Sequence, residues 1–567
     1  MKWSLNSFRE AGILFYLLLL LWFLINLIQS TVTDLIPDEA YYHFYSENLA
    51  WGYFDHPPLI ALTIKISSLL FNNELSVRFM TVIIQLLTLI IIWKTINDKE
   101  YNRRSVLMFY GISSSIVMFV VYGFVTTPDS PLLLFTALFI FSYKRFLEKE
   151  SPINCLLIAI SMAGLVYSKY QGGVVILLVI LSNPKLLLNI RFWLSGIAAL
   201  TLLLPHIIWQ IDNDFPSFMY HTVGRAKPFR FKYFLIYLPN QMANFNPFVL
   251  TLVIYILFKV RPSNLFNRAL YTIIAGIIVL FWGTTLRGHA EPQWTIAASV
   301  PMIILIYQTA KSIRGVNIYL RRFVFPSIIL LFILRIVIAC DSIPIRLEFY
   351  NQKRWAESIK AISQDRAVIF TDGYQRPSTY KFYTKEDAFT VNSVFYRRNQ
   401  YDLNSYKSRF LNRGVMIVSN KSDSLSAPFQ IYGRDTIYVR YTDNLTLTSD
   451  VSILFNIPKG TIFEKGGEHM ADVKLINFNK FPIDFNNKEF PSFFKVLLTD
   501  QKKGIVTLDA LFSPPFNILE KHEEILGTIK FSIPENIEPG SYKLMFSIKT
   551  EPFREGFNSK NVKIEIK

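Results

Sequence analysis

Long runs of apolar residues, separated by short polar loops, dominate the first 340 positions of the chain. A helix needs roughly 20 apolar residues to cross the hydrocarbon core of a bilayer, so the pattern predicts about eleven membrane-spanning helices. No small-residue cleavage site follows the first run, which favours a retained helix over a signal peptide. The predicted helices fall near residues 11–28, 78–93, 105–122, 131–143, 152–167, 173–182, 192–211, 236–258, 269–282, 294–310 and 323–340.

Lysine and arginine are concentrated in alternate loops. The basic loops are residues 94–104, 144–150, 183–191, 259–268 and 311–322. Cytoplasmic loops retain positive charge, so we predict that these five loops and the N-terminus lie in the cytoplasm. The intervening acidic loops, and everything after Cys340, are then extracytoplasmic in a multi-pass protein of the inner (plasma) membrane.

The pattern changes after residue 340. Over residues 341–435, an amphipathic helical segment alternates with short apolar runs such as AVIFTDG and GVMIVSN, which predicts an extracytoplasmic α/β domain. Over residues 436–567, seven strand-like segments separated by turn residues predict a β-sandwich. Residues 1–340 form the predicted transmembrane domain, and the two extracytoplasmic domains contain no catalytic motif that we recognise.

Composition agrees with a membrane protein. Hydrophobic residues make up 51% of the 567 positions and the mean hydropathy is +0.30, too apolar for one soluble domain. Much of the net charge of +17 lies in the predicted inner loops, so it indicates membrane topology and contact with membrane lipids rather than a nucleic-acid partner. The two cysteines, Cys155 and Cys340, have no metal-binding spacing and suggest no disulfide.

The first outer loop, residues 31–59, is unusually polar for a connection between membrane helices. Asp38 and Glu39 follow Pro37 and precede the aromatic run AYYHFY. A carboxylate at this position suits a general base toward an acceptor hydroxyl or amine, or a ligand to a divalent cation. The alternative is structural, with Asp38 as the N-cap of a helix.

The same loop ends in FDHPPL, where Asp55 and His56 precede two prolines. Pro-Pro stiffens the chain, so we expect these two side chains to be held rigidly against the next apolar segment. Lys65 and Arg78 flank that segment and are candidates for binding a phosphate at the membrane boundary. Snorkelling toward lipid head groups explains either residue equally well.

Three further outer loops are predicted on the same membrane face: TTPDSPL (126–132), YSKYQGG (167–173) and RGHAEPQW (287–294). Asp129 is either a second active-site acid or the cap of the next helix. Lys169 and His289 are candidate contacts to a phosphate or a metal ion.

These motifs, taken in order, resemble a known family. IPDEAYYHFYSENLAWGYFDHPPL, TTPDSPLLLF, SKYQGG, NDFPSFMYH and GHAEPQW resemble segments of the bacterial GT-C glycosyltransferases of the protein O-mannosyltransferase and aminoarabinose lipid A transferase type. The resemblance covers residues 8–340 and extends weakly to 397–403. It implies a GT-C fold, making the chain a polytopic α-helical membrane protein with an α/β and β-sandwich region at its C-terminus.

The resemblance also implies a function. Such enzymes transfer a sugar, with inversion, from a polyprenyl-phosphate donor to a lipid, glycan or protein acceptor outside the cytoplasm. The resemblance implies that Asp38 deprotonates or orients the acceptor and that Glu39 supports Asp38. The aminoarabinose enzymes have Glu-Lys-Pro where this chain has Asp55-His56-Pro57; there the acid contributes to a metal site and the lysine contacts the donor phosphate.

The resulting site prediction has three groups. The expected cofactor, if any, is a divalent cation. Two other functions are open at this stage: a transporter or flippase of lipid-linked sugars, and a non-catalytic protein of envelope-glycan assembly. The predicted residues are Asp38, Glu39 and Asp129 for catalysis, His56, Lys65, Arg78 and Lys169 for the donor phosphate, and Asp55 with His289 for the metal ion.

Overall fold

A computed structural model describes residues 2–224, 229–340, 347–403, 405–431, 436–500 and 504–567. The chain divides into two compact units, Met1–Gln352 and Lys353–Lys567. The predicted domain boundary after residue 340 falls at residues 341–346, outside the described residues. The predicted boundary after residue 435 is one strand too early, because Thr436–Thr442 pairs with Val415–Ser419 and Ala427–Gln430 in the sheet of the preceding region.

The first unit is helical throughout. Three 3₁₀ segments (Pro184–Leu188, Thr285–Arg287, Pro292–Ala298) and two π-helical turns (Tyr220–Gly224, Leu320–Val324) join or extend its helices. The α-helices are α1 Lys2–Val32, α2 Pro37–Glu47, α3 Leu59–Ser68, α4 Leu75–Ile96, α5 Arg103–Ser115, α6 Val117–Val121, α7 Asp129–Glu148, α8 Pro152–Ser168, α9 Gly172–Ser182, α10 Ile190–Asp212, α11 Pro216–Met219, α12 Phe231–Phe245, α13 Pro247–Lys259, α14 Leu265–Thr284, α15 Ser299–Ser312, α16 Arg314–Tyr319 and α17 Phe325–Ala339.

The structure confirms a multi-pass helical membrane unit, but its helices are less regular than eleven uninterrupted spans. Among the described residues, 6 helices are long and apolar enough to cross a bilayer, and the bent pair α12–α13 makes a seventh. Three further apolar helices are shorter: α8 and α9 match predicted spans, whereas α3 was not among the predicted spans.

Two predicted spans are interrupted, and a hydrogen bond joins the two interruptions. The run 105–122 breaks at Ile116, which is extended, and the run 236–258 bends by 104° around Asn246. The side chain of Asn246 donates a hydrogen bond to the carbonyl of Ser115 (3.0 Å). The Asn246 side chain therefore satisfies a carbonyl oxygen at the first break, and its own Oδ1 accepts from the N–H of Phe248 at the second (3.0 Å), as unpaired backbone groups in a bilayer require.

The packing order of the helices places the outer loops together. Helix α7 packs against α4 and α8, and α4 packs against α1 and α3, around one continuous apolar core. The C-terminal end of α1 and the N-terminal ends of α4 and α7 thus lie beside α2.

The second unit begins with a five-stranded sheet in the order β2-β1-β3-β5-β4, in which β1 is parallel to β2 and β3. Two helices cover its apolar strands, and the side chains of Trp355, Ile359 and Tyr380 share their core. These elements are α18 Gln352–Ala361, β1 Ala367–Thr371, α19 Gln375–Thr384, β2 Ala388–Val391, α20 Gln400–Leu403, β3 Val415–Ser419, β4 Ala427–Gln430 and β5 Thr436–Thr442.

The rest of this unit is built from strands, as predicted. Strand β11 pairs with β10 through its first half and with β13 through its second half, so it joins two groups of strands around one core. A small β9–β12 pair lies apart from the order β6-β8-β13-β11-β10-β14-β15-β7. The strands are β6 Val451–Phe455, β7 Ile462–Phe463, β8 Glu468–Asn477, β9 Ile483–Asp484, β10 Ser492–Asp500, β11 Gly504–Ser513, β12 Ile518–Leu519, β13 Glu524–Ser532, β14 Gly540–Thr550 and β15 Val562–Ile566.

Candidate active site

The start of α2 is fixed by Pro37 and Glu39. Pro37 occupies the first helical turn, where its missing N–H costs no hydrogen bond. The Glu39 carboxylate accepts a hydrogen bond from the backbone N–H of Ile36 (3.0 Å) and so caps the helix. The alternative prediction that Asp38 is the cap is therefore wrong, and its carboxylate is left for other contacts.

Glu39 and Arg78 form an ion pair in which both side chains are 0% exposed. Arg78 Nε lies 2.8 Å from Glu39 Oε1, and Nη2 lies 2.5 Å from Oε2. The backbone N–H of Thr126 also donates to Glu39 Oε1 (2.8 Å). We call these three residues the Glu39 hub, because they tie α2 to α4 and to the TTPDSPL loop.

The remaining donors of Arg78 are also used by the protein. They reach the carbonyl oxygens of Ser30, Thr33 and Asp34 at 3.2, 2.7 and 2.9 Å, at the end of α1. Because all three nitrogens are bound to protein oxygens, the predicted role of Arg78 as a donor-phosphate ligand is corrected here. The contacts assign Arg78 to holding Glu39 in place.

Asp38, one residue before Glu39, is half-buried. Its carboxylate interacts electrostatically with the hydroxyl of Tyr122 and with the carboxyl of Glu348. Tyr122 also interacts with Asp129 and hydrogen-bonds to Thr127. The structure thus brings two of the acids predicted to be catalytic to one buried tyrosine.

Asp129 opens α7 and forms a buried ion pair with Lys169, at the end of α8. The two carboxylate oxygens lie 2.8 and 2.9 Å from Lys169 Nζ, and the side chains are 4% and 7% exposed. Neither residue was predicted to bind the other. A phosphate that contacts Lys169 must share its ammonium group with Asp129.

Asp55 lies against α2 rather than in open solvent. Its side chain accepts a hydrogen bond from the hydroxyl of Tyr45, whose ring stacks on Tyr53 at a centroid distance of 4.3 Å. Burial, and then the nearby Asp55 carboxylate, raise the pKa of Tyr45 well above its ordinary value. Tyr45 therefore stays protonated and orients Asp55.

His56 follows in the rigid turn that the two prolines predict. The backbone N–H of Tyr53 donates to the carbonyl of His56 (3.1 Å), and α3 begins directly after Pro58. The imidazole Nε2 lies 3.3 Å from the hydroxyl of Tyr42. His56 is thus held at the same end of the unit as α2.

Part of the chain is similar in sequence to known proteins. The sequence model of the dolichyl-phosphate-mannose-protein mannosyltransferase family matches residues 55–209. The lipid A galacturonosyltransferase RgtD of Rhizobium johnstonii is 26% identical over 220 residues, which cover 36% of this chain and 44% of that protein. The match therefore spans less than half of the length of this relative.

A solved structure has the same fold. ArnT from Cupriavidus metallidurans, in the apo state, superposes with a TM-score of 0.54 at 13% sequence identity, covering 76% of this chain and 98% of that one. The chain has the GT-C fold. The predicted resemblance to GT-C glycosyltransferases of the ArnT and protein mannosyltransferase type is confirmed.

Two predicted residues of this GT-C protein have few contacts with the others. Lys65 lies in the last turn of α3, and no hydrogen bond of its ammonium group is found among the described residues. His289 lies 3.7 Å from Glu291 and packs against the ring of Tyr233. The described residues include no group of three His, Cys, Asp or Glu side chains that suits a metal ion.

Sequence reasoning missed a set of aromatic and imidazole side chains around Asp55. His221 Nε2 lies 3.0 Å from the carbonyl of Asp55, and the ring of Tyr170 packs against His221. The hydroxyl of Tyr170 lies 3.2 Å from His206 Nε2. His221 ends the segment NDFPSFMYH, whose resemblance to the family was the only available signal.

Glu348 was also missed, because it lies beyond the last apolar run. Its neighbour Phe349 packs against Phe124 (ring centroids 6.4 Å apart), which returns this segment to the membrane unit near Asp38. Glu348 thereby adds a second carboxyl group beside the candidate catalytic base.

Proposed function

We propose that this chain transfers a sugar from a polyprenyl-phosphate donor to an acceptor outside the cytoplasm. One observation carries the proposal: Glu39 caps α2 and is locked by Arg78, which leaves the carboxylate of Asp38 half-buried beside Tyr122 and the Asp129–Lys169 pair. This arrangement suits a fixed general base, whose geometry does not depend on solvent.

In the proposed reaction, Asp38 accepts the proton of an acceptor hydroxyl or amine. The acceptor atom bonds to the anomeric carbon as the bond from that carbon to the phosphate oxygen breaks. The electron pair leaves with the polyprenyl phosphate, whose charge is stabilised by the candidate cations Lys65, Lys169 and protonated His56. A single displacement of this kind inverts the anomeric configuration.

An apolar groove next to the Asp55-His56 turn suits the polyprenyl tail. Its volume is about 380 Å³. It is lined by Leu49, Ala50, Trp51, Pro58, Leu59, Leu62 and Tyr167. Pro58 and Tyr167 lie within three residues of His56 and Lys169, so a lipid in this groove presents its phosphate to those cations.

The relatives support the same donor class. The matching family is described as using dolichyl phosphate mannose, a polyprenyl-phosphate sugar, and RgtD as modifying lipid A. We propose a polyprenyl-phosphate sugar as the donor for this chain. Lipid, glycan and protein are all candidate acceptors.

A divalent cation at Asp55 stays a proposal. Since no described group of three side chains suits a metal, a cation that binds Asp55 has to complete its shell with other ligands, such as donor phosphate oxygens.

The proposed function is tested by mass spectrometry of lipid and glycan fractions from cells with and without the gene. We expect one envelope component to lose a sugar in the deletion strain and to regain it with the wild-type gene but not with Asp38→Asn. Identical fractions under conditions in which the protein is made would contradict the proposal.

The orientation in the membrane is predicted from the basic loops. Reporters fused after Arg104, Glu150 or Arg268 should be cytoplasmic, and a reporter fused after Lys567 should be extracytoplasmic, because positive charge holds loops inside. An alkaline phosphatase and a fluorescent protein reporter at each position measure this. A cytoplasmic C-terminus would contradict the proposed face of catalysis.

Glu348 is expected to shape the pH dependence of transfer. Burial and the nearby Asp38 raise the pKa of Glu348 above its ordinary value. When Glu348 ionises, its negative charge makes the Asp38 carboxylate a stronger base. Because the charge of Asp38 raises the pKa of Glu348, Glu348 ionises at a higher pH than Asp38 does. The transfer rate of wild type should therefore change a second time at that higher pH, and Glu348→Gln should lack this second change.

The matched control for this profile is Glu357→Gln, which removes an exposed carboxyl from α18. Rates of both variants and wild type are compared across the acid range. A second change of rate that persists in Glu348→Gln would show that Glu348 does not act on the base.

A further inference from the structure

A second pocket lies outside the candidate active site, between α5, the end of α15, and the α16–α17 region. Its volume is about 570 Å³. It is lined by Asn102, Arg104, Ser105, Leu107, Met108, Gly111, Lys311, Asn317, Leu320, Arg321 and Phe325. None of these residues belongs to the predicted catalytic, phosphate or metal groups.

The polar part of this pocket is strongly basic. Arg104 and Arg321 are exposed, and no described acidic side chain lies within ion-pair distance of either guanidinium. Lys311 is paired with Asp98 (2.9 Å) and lies 3.5 Å from Ser105 Oγ. Three cations therefore face the pocket with one neighbouring acid, which leaves an excess of positive charge for an anionic ligand.

The remaining wall is apolar. Leu107 is 53% exposed, whereas Met108 and Leu320, which also line the pocket, are buried. Gly111 allows the ring of Phe325 to approach α5 closely, since a Cβ at this position would lie 2.7 Å from that ring. An anion that binds here meets cations at one end and a hydrocarbon surface at the other.

We propose that this pocket binds an anionic phospholipid. The phosphate contacts Arg104, Arg321 and Lys311, and the acyl chains lie along α5 and α17. Both basic segments belong to loops predicted to be cytoplasmic, where anionic lipids attract clustered lysine and arginine. The apolar wall favours a lipid over a soluble phosphate compound, which has no chain to bury.

The test is native mass spectrometry of the purified full-length protein with phosphatidylglycerol or phosphatidylcholine added in detergent. Wild type should retain phosphatidylglycerol in preference to phosphatidylcholine. Arg104→Gln combined with Arg321→Gln should bind phosphatidylglycerol roughly 30-fold more weakly, since each cation contributes to phosphate affinity.

The control is Arg103→Gln combined with Arg322→Gln, which removes the same charge from neighbouring positions. Arg103 lies 3.6 Å from Glu10 and Arg322 lies over Phe323, and neither lines the pocket. This variant should bind lipid nearly as wild type does, and thermal unfolding in detergent establishes that both variants are folded.

Three outcomes overturn the proposal. An equal loss in both double variants indicates surface charge rather than a pocket. Displacement of the lipid by millimolar inorganic phosphate indicates a site for small anions. Equal retention of phosphatidylglycerol and phosphatidylcholine indicates that the cations do not select a headgroup.

Discussion

Asp38→Asn is expected to lower the rate of sugar transfer by about 100-fold to 10,000-fold, the usual effect of removing a general base. The substitution keeps the size of the side chain but removes its charge. Because Glu39, and not Asp38, accepts the hydrogen bond that caps α2, the helix should stay intact. Turnover by the purified variant, together with its thermal unfolding midpoint, measures both effects.

The matched control is Glu47→Gln at the other end of α2, where the carboxylate lies 3.9 Å from His43. It should transfer sugar at nearly the wild-type rate. If Asp38→Asn is also nearly as active as wild type, Asp38 is not the base.

Arg78→Met is expected to destabilise the protein by about 3–5 kcal/mol, because it leaves the charge of Glu39 buried without its partner. Methionine fills similar space, so the loss reflects charge rather than a cavity. Combining Arg78→Met with Glu39→Gln should recover part of the stability, since the double variant buries no unpaired charge. Unfolding in detergent, analysed as a double-mutant cycle, measures the coupling.

The comparison for this cycle is the exposed pair of Arg103 and Glu10, whose side chains are 68% and 55% exposed. Arg103→Met should change stability by less than about 1 kcal/mol. A loss in Arg78→Met that is no larger than this would mean that the Glu39 hub does not stabilise the outer loops.

Sequence patterns predicted the chemical groups of the site better than their pairing. The order of IPDEA, FDHPPL and TTPDSPL located Asp38, Glu39, Asp55 and Asp129. Glu39 and Arg78 are 39 positions apart, and Asp129 and Lys169 are 40 apart. Helix packing brings these partners together, and no local pattern reports it.

Hydropathy likewise predicted a multi-pass membrane unit but not its irregular helices. Apolar residues continue on both sides of Ile116 and Asn246, so the predicted spans ran through the breaks there. The hydrogen bond that joins the two breaks, from Asn246 to Ser115, is a tertiary contact, which hydropathy does not report. The strands after residue 436 were easier to predict, since alternation such as that in β8 follows from one buried face.

The roles of individual site residues stay predictions. Lys65 has the charge that a departing phosphate requires, and among the described residues its ammonium group forms no ion pair with an acid. His56 has that charge only when it is protonated. The described contacts of the His289 side chain are those with Glu291 and Tyr233. A metal site shared by His289 and Asp55 therefore rests on the predicted loop arrangement.

The most direct test of the proposed function is release of polyprenyl phosphate by the purified protein in vesicles. The vesicles contain one of a panel of synthetic polyprenyl-phosphate sugars together with an envelope extract as acceptor. We predict that wild type releases one polyprenyl phosphate for each sugar transferred, with inverted configuration, and that Asp38→Asn releases almost none. Folded wild-type protein that leaves every donor intact, or equal release by both proteins, would contradict the account.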